Sequence, residues 1–421
     1  MINNPGPERR PRVKSRTSRR VLVAAATLIA TLSVAPSPLG ASPTPHPDIA
    51  APAPPQEFAQ GDAAFYTFPE PVPAGAHGDL VRWQIVENTF DPIYRIMYVS
   101  TSVAGAPILV TGLVTVPDDP APFGGFPMLL QGHGTTGIAD ACAPSRTIED
   151  SSLTYAMDFT NLAGHASGDG FVVVSTDYEG LGSPGRHPFM VGPSAAHSIL
   201  DAGLAAHQIP GVYVSPQTGL VGFSQGGHGV LFAAQLAAEW APQLTILGTV
   251  AVAPSSEVGG FVAAGVNDVA RSPLTVAILA GLAASYPEAE AALPTVLTDS
   301  ALELVGIMDE NCFGEQMPTT PAPHLRADPN TVEPFASLLT ADTPGFAAVA
   351  APVIIFHGDA DENVPIADSA TLLSRLCAAG QVVERRVIPG ADHGIGARDG
   401  FRDGVAWFVG LAAGAVPVSS C

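Results

Sequence analysis

The stretch Gly222-Phe223-Ser224-Gln225-Gly226 constrains this chain more than any other. Gly-x-Ser-x-Gly fits a sharp turn from a strand into a helix, with the serine in a strained conformation at its apex and small neighbours that let strand and helix come close. The serine oxygen then projects into open space, within reach of a carbonyl carbon. The surroundings agree. Residues 214–221 read as a strand, and residues 227–239 carry Val230, Leu231, Ala234, Leu236 and Ala237 on one helical face.

The rest of the chain extends this pattern. Residues 81–88, 93–103 and 107–116 read as strands joined by short turns, an antiparallel start to a sheet. Strands at 127–130, 171–175, 247–253, 352–356 and 381–388 then alternate with helices near 153–164, 195–206, 368–379 and 399–412. Such alternation predicts an α/β architecture, with a mostly parallel central sheet, right-handed crossovers and helices on both faces. Continuous apolar runs such as Phe171-Val172-Val173-Val174 suit strands buried on both sides. Between 254 and 343 the alternation stops. Helical stretches at 273–285 and 299–308 are broken up by Pro294, Pro318, Pro321 and Pro323. An insertion of this size exceeds an ordinary connection, and it is expected to form a helical cap, or lid, over the site. The expected organisation is an export signal at 1–41, a Pro/Ala-rich lead-in at 42–77, the core at 78–253, the cap at 254–343 and the rest of the core at 344–421.

The export signal rests on composition. Seven Lys or Arg residues between Arg9 and Arg20 precede the apolar run 21–34, and small residues follow. The run is too short to span a bilayer. Ser18-Arg19-Arg20-Val21-Leu22 partly resembles a twin-arginine signal, a match too loose to choose between export routes. Loss of residues 1–41 removes seven basic residues and one acidic residue, which takes the formal net charge from −21 to −27. So acidic a protein argues against nucleic acid and anionic lipid as partners and favours neutral substrates. The four cysteines, Cys142, Cys312, Cys377 and Cys421, suggest two disulfides in an exported protein, with three pairings open. Their wide spacing argues against a zinc site, and neither a metal nor a cofactor is expected.

A serine hydroxyl needs a base to take its proton and a carboxylate to orient that base. With a serine elbow in an alternating chain, the order is serine, acid, histidine, and the partners belong in loops at the C-terminal ends of late strands. After the strand at 352–356 comes His357-Gly358-Asp359-Ala360-Asp361-Glu362. Asp361, four residues past His357 and just before Val364-Pro365, is the expected acid, with Asp359 the runner-up and Glu362 pointing to solvent. After the last strand comes Asp392-His393, and His393 is the expected base. His133 and His357 close strands, and His228 supports the turn after the elbow. The oxyanion donors are expected to be the backbone N–H of Gln225 and that of Gly134 or Thr135, in the loop Gly132-His133-Gly134-Thr135-Thr136-Gly137.

Together these pieces resemble a known family. Gly132 to Gly137, Cys142-Ala143-Pro144-Ser145, Ser175-Thr176-Asp177-Tyr178-Glu179-Gly180, the elbow, His357 to Asp361 and Asp392-His393 are similar to the secretory lipases, the lipase-A-like secreted α/β-hydrolases. The resemblance runs from about Phe65 to the C-terminus. It implies the α/β-hydrolase fold with a helical lid inserted before the acid-bearing strand, and a lipase or esterase acting on acylglycerols and related esters. It implies the triad Ser224, Asp361 and His393, and the disulfides Cys142–Cys312 and Cys377–Cys421. The oxyanion loop departs from the acidic variant of some members.

The expected function is therefore a secreted serine ester hydrolase with a lipid or small-molecule ester as substrate. Apolar cap residues around Leu274 to Leu282 suggest a groove for acyl chains and transient contact with lipid interfaces. A short-chain esterase, an acyltransferase, an exopeptidase and a catalytically inactive binding protein are the alternatives.

Overall fold

A computed structural model describes residues 53–86, 91–150, 155–314 and 319–421; the expected export signal at 1–41 lies outside these residues. Ten strands form one sheet. They are β1 (Gln56–Phe58), β2 (Leu80–Ile85), β3 (Ile93–Thr101), β4 (Pro107–Thr115), β5 (Phe126–Gly132), β6 (Val172–Thr176), β7 (Val214–Phe223), β8 (Thr245–Val252), β9 (Val353–Gly358) and β10 (Val383–Ile388). Their spatial order is β1-β2-β3-β4-β6-β5-β7-β8-β9-β10. The pairs from β2 to β4, and β4 with β6, are antiparallel. From β6 to β10 every pair is parallel. The lead-in is not wholly extended chain outside the fold: Gln56–Phe58 adds a parallel edge strand beside β2.

The helices are α1 (Pro144–Thr147), α2 (Met157–Ala166), α3 (Gly192–Ala206), α4 (Gln225–Trp240), α5 (Val258–Asn267), α6 (Ser272–Ser285), α7 (Pro287–Val296), α8 (Asp299–Met308), α9 (Phe335–Ala341), α10 (Ile366–Ala378) and α11 (His393–Ala412). Alternation along β9 shows how both sheet faces are covered. Ile354 and Phe356 pack with Phe159 of α2 and Phe401, Val405 and Phe408 of α11. Val353 and Ile355 pack with Leu372 and Leu376 of α10. A third apolar cluster places Ile199 of α3 and Val230 of α4 against Leu130 and Leu220.

Helices α5 to α9 lie between β8 and β9 and build their own apolar cluster, in which Leu279, Leu282, Leu304 and Phe335 are buried. It also takes in Ile138, Phe189, Met190 and Val191 from the core's loops. The insertion is thus seated on the edge of the sheet where the strands end. Pro294 does not interrupt it as expected, because it sits in the last turn of α7, where the helix is ending anyway.

Candidate active site

Two glycines account for the elbow's geometry. A Cβ on Gly222 would lie 2.1 Å from the Gly226 carbonyl oxygen, and one on Gly226 would lie 1.8 Å from that of Gly132. Neither position admits any other residue. Between them Ser224 adopts φ 54° and ψ −115°, a strained conformation for a residue with a side chain. Gln225 begins α4, so its backbone N–H is one of the helix's unpaired N-terminal donors.

Asp361 lies in the loop after β9, and His393 is the first residue of α11. That helix starts six residues earlier than expected, because the Asp392 carboxylate caps it by accepting from the Ile395 N–H at 2.8 Å. The His393 Nδ1 is 2.7 Å from Asp361 Oδ2. The other oxygen, Oδ1, accepts from the N–H groups of Asn363 and Val364, both at 2.9 Å. Burial would push the Asp361 carboxyl up, but hydrogen bonds from His357, His393 and the Val364 N–H outweigh it and hold the group well below the ordinary carboxylate range. Asp359 instead accepts from the Gly390 N–H at 2.5 Å, and Glu362 is exposed.

His357 does more than close β9. It is fully buried; its Nε2–H donates to the Val364 carbonyl at 3.0 Å and lies 3.4 Å from Asp361 Oδ2. Its place at a strand end, four residues before the acid, was the signal for this contact. His228 Nε2 bonds the Asp342 carbonyl at 2.8 Å, tying α4 to the end of the insertion.

Ser224, His393, Gly134 and Thr135 line one cavity of about 420 Å³. The Phe223 ring lies 4.5 Å from the His393 ring, centre to centre. Among the described residues Ser224 Oγ makes no hydrogen bond; nucleophile–base contacts commonly tighten only when substrate binds. The insertion supplies Val258, Phe261, Leu274, Ile278 and Phe313 to the walls. Asp158, Glu257 and Asp368 supply carboxylates. Burial, and then the charge of Glu257, raise the Asp368 carboxyl to about 6.

Asp158 was not anticipated. Its Oδ2 accepts from the Gly134 N–H at 2.7 Å, so one of the two alternative oxyanion donors is already engaged, and a Cβ on Gly134 would come within 3.0 Å of that oxygen. Burial raises the Asp158 carboxyl, opposed by the Gly134 N–H and the nearby His393. Nothing in the sequence around Asp158 marks it, since it reaches the loop from α2.

The cysteines pair as Cys142–Cys312 and Cys377–Cys421. The first ties the segment after the Gly132–Gly137 loop to the insertion. Beside it the Phe313 N–H donates to the Thr136 carbonyl at 3.0 Å. Arg186 and Asp309 add a two-pronged ion pair across the same boundary, at 2.8 and 2.6 Å. The motif segments also meet: Asp177 accepts from the Ser145 N–H at 2.9 Å and from its hydroxyl, and from Thr111 Oγ1 at 2.6 Å.

Comparison with known proteins agrees with this architecture. The model of the secretory lipase family matches residues 147–408. Lipase A of Moesziomyces aphidis is 24% identical over 373 residues, covering 79% of this chain and 76% of the relative. A Mycobacterium tuberculosis protein described as a probable inactive lipase is 28% identical over 240 residues, 54% of this chain and 52% of its own length. Among solved structures, Candida antarctica lipase A superposes with a TM-score of 0.68 at 22% identity, covering 79% of this chain and 81% of that one. The rice cell wall degrading esterase LipA from Xanthomonas oryzae gives 0.65 at 18%, covering 81% and 99%. At those identities the structures show the shared fold.

Proposed function

This chain belongs to the secretory lipase family, and we propose that it is an exported serine ester hydrolase in which Ser224, His393 and Asp361 form the triad. Ser224 Oγ attacks the ester carbonyl while His393 Nε2 takes its proton. The proton passes to the departing alcohol oxygen, leaving an acyl-enzyme; a water deprotonated by His393 then releases the acid. Asp361 holds the imidazole with its Nδ1–H occupied, so that Nε2 faces the serine as an acceptor. The N–H groups of Gln225 and Thr135 stabilise the oxyanion, and that of Gly134 joins them when the Asp158 carboxylate releases it.

The observation that carries this reading is the 2.7 Å contact between His393 and Asp361 on the same cavity as a strained Ser224. We further propose an acylglycerol or related neutral ester as substrate. Apolar walls from the insertion suit an acyl chain, and the three carboxylates of the lining disfavour anionic ligands. Intact serine, acid and base positions support activity over the inactive state ascribed to the mycobacterial relative. Nitrophenyl esters of increasing acyl length test both parts. Turnover should rise with chain length and vanish in Ser224→Ala. Full activity in that variant refutes the mechanism, and a preference for acetate refutes the lipid assignment.

A further inference from the structure

The segment Asp177-Tyr178-Glu179-Gly180 follows β6 and touches no part of the triad, yet it grips both halves of the oxyanion hole. We propose that Tyr178, together with His187, is a positioning residue that fixes the loop bearing Gly134 and Thr135 relative to the start of α4, and so the backbone donors of the hole relative to one another. This rests on the ester hydrolase reading above.

Three observations carry it. First, the Tyr178 hydroxyl donates to the His133 carbonyl at 2.9 Å. That carbonyl belongs to the same planar peptide unit as the Gly134 N–H, so the hydroxyl fixes the orientation of the unit that immediately precedes the Thr135 N–H. Asp158 holds the same unit from its other side. Second, the His187 Nδ1–H donates to the Glu179 carbonyl at 2.8 Å, leaving Nε2 to accept from the side-chain amide of Gln225, also at 2.8 Å. Burial lowers the His187 imidazole to about 4, so the ring is neutral near pH 7 and keeps that acceptor. Gln225 carries the first oxyanion donor on its own backbone, and a buried side-chain anchor fixes where α4 begins. Third, the Tyr178 and His187 rings stack at 5.6 Å and 20°, joining the two grips into one body. Tyr178 is completely buried and holds φ +73°, a left-handed conformation unusual for tyrosine. Backbone strain of this kind persists where surrounding contacts over-determine it.

Tyr178→Phe removes the hydroxyl and keeps the ring. His187→Phe keeps a ring for stacking but removes the acceptor, and His187→Gln restores an acceptor. With nitrophenyl butyrate, after active-site titration, Tyr178→Phe and His187→Phe should each lower kcat ten- to a hundredfold with KM within threefold. Inhibition by an aryl trifluoromethyl ketone, whose hemiketal oxygen fills the hole, should weaken in parallel. His187→Gln should recover most of the His187→Phe loss. A merely structural role would lower the titratable fraction without changing turnover per site. Turnover and ketone affinity within twofold of wild type in the folded variants overturn the proposal. If Tyr178→Phe does not fold, the His187 pair decides alone. Full activity in Ser224→Ala overturns the ester hydrolase reading itself, an outcome separable from a failure of the clamp.

Discussion

Asp361→Asn isolates the carboxylate proposed to orient His393, with little change in volume. In the structure Oδ1 of Asp361 is fixed by two backbone N–H donors, those of Asn363 and Val364 at 2.9 Å each. An asparagine must present its own carbonyl oxygen to those donors, which turns its NH₂ toward His393 Nδ1. An NH₂ donor there selects the imidazole tautomer with its proton on Nε2. That nitrogen then donates toward Ser224 instead of accepting, and the base is lost. The same NH₂ also faces the Nε2–H of His357, 3.4 Å from the native oxygen, so two donors oppose each other. A wrong-tautomer defect of this kind costs about 10⁴-fold in kcat, or about 5.5 kcal/mol of transition-state stabilisation. Nitrophenyl ester kinetics on the purified variant give the number, and circular dichroism checks the fold. A kcat within tenfold of wild type refutes the tautomer argument and removes Asp361 from the orienting role.

Asp342 offers a stability test. Burial raises its carboxyl to about 7, while its Oδ1 accepts from the Gly192 N–H at 2.8 Å. A carboxyl that binds its proton more tightly when folded costs stability as pH rises from about 4 to about 7, here by at most about 4 kcal/mol. The Asp342→Asn variant should keep the Gly192 contact through its amide oxygen and lose that slope, so urea unfolding should favour the variant more at pH 8 than at pH 5; parallel pH profiles contradict this. Replacing Cys142 and Cys312 with alanine opens a loop spanning 170 residues, against 44 for Cys377 and Cys421. Chain entropy assigns these about 5 and about 4 kcal/mol, respectively. Activity of the folded protein should suffer more from the first pair, which anchors the segment after the proposed oxyanion loop, and equal effects on kcat contradict that role.

The parts of this molecule legible in its sequence are those fixed by local pattern. The elbow's glycines, the apolar runs of β6 and β9 and the order of Ser224, Asp361 and His393 all follow from spacing. The insertion was legible as a break in alternation, but only α6 and α8 could be placed within it. Gly259 and Gly260 weaken the helical signal of α5, and Pro294 disguises α7. The start of α11 was hidden by Gly394 and Gly396, although Asp392 is a good N-cap. Strand order was not legible: β6 lies between β4 and β5, a choice made by tertiary packing. The contacts of Asp158, Tyr178 and His187 join residues distant in sequence through buried hydrogen bonds, and no periodicity encodes them.

On the proposed mechanism the hydroxyl of Ser224 is the activated nucleophile. A fluorophosphonate probe followed by peptide mass mapping tests it most directly. One adduct per folded chain is expected, on Ser224, forming rapidly in the wild type and at least a hundredfold more slowly in His393→Ala. Labelling on another residue, or unchanged labelling of Ser224 without the imidazole of His393, contradicts it.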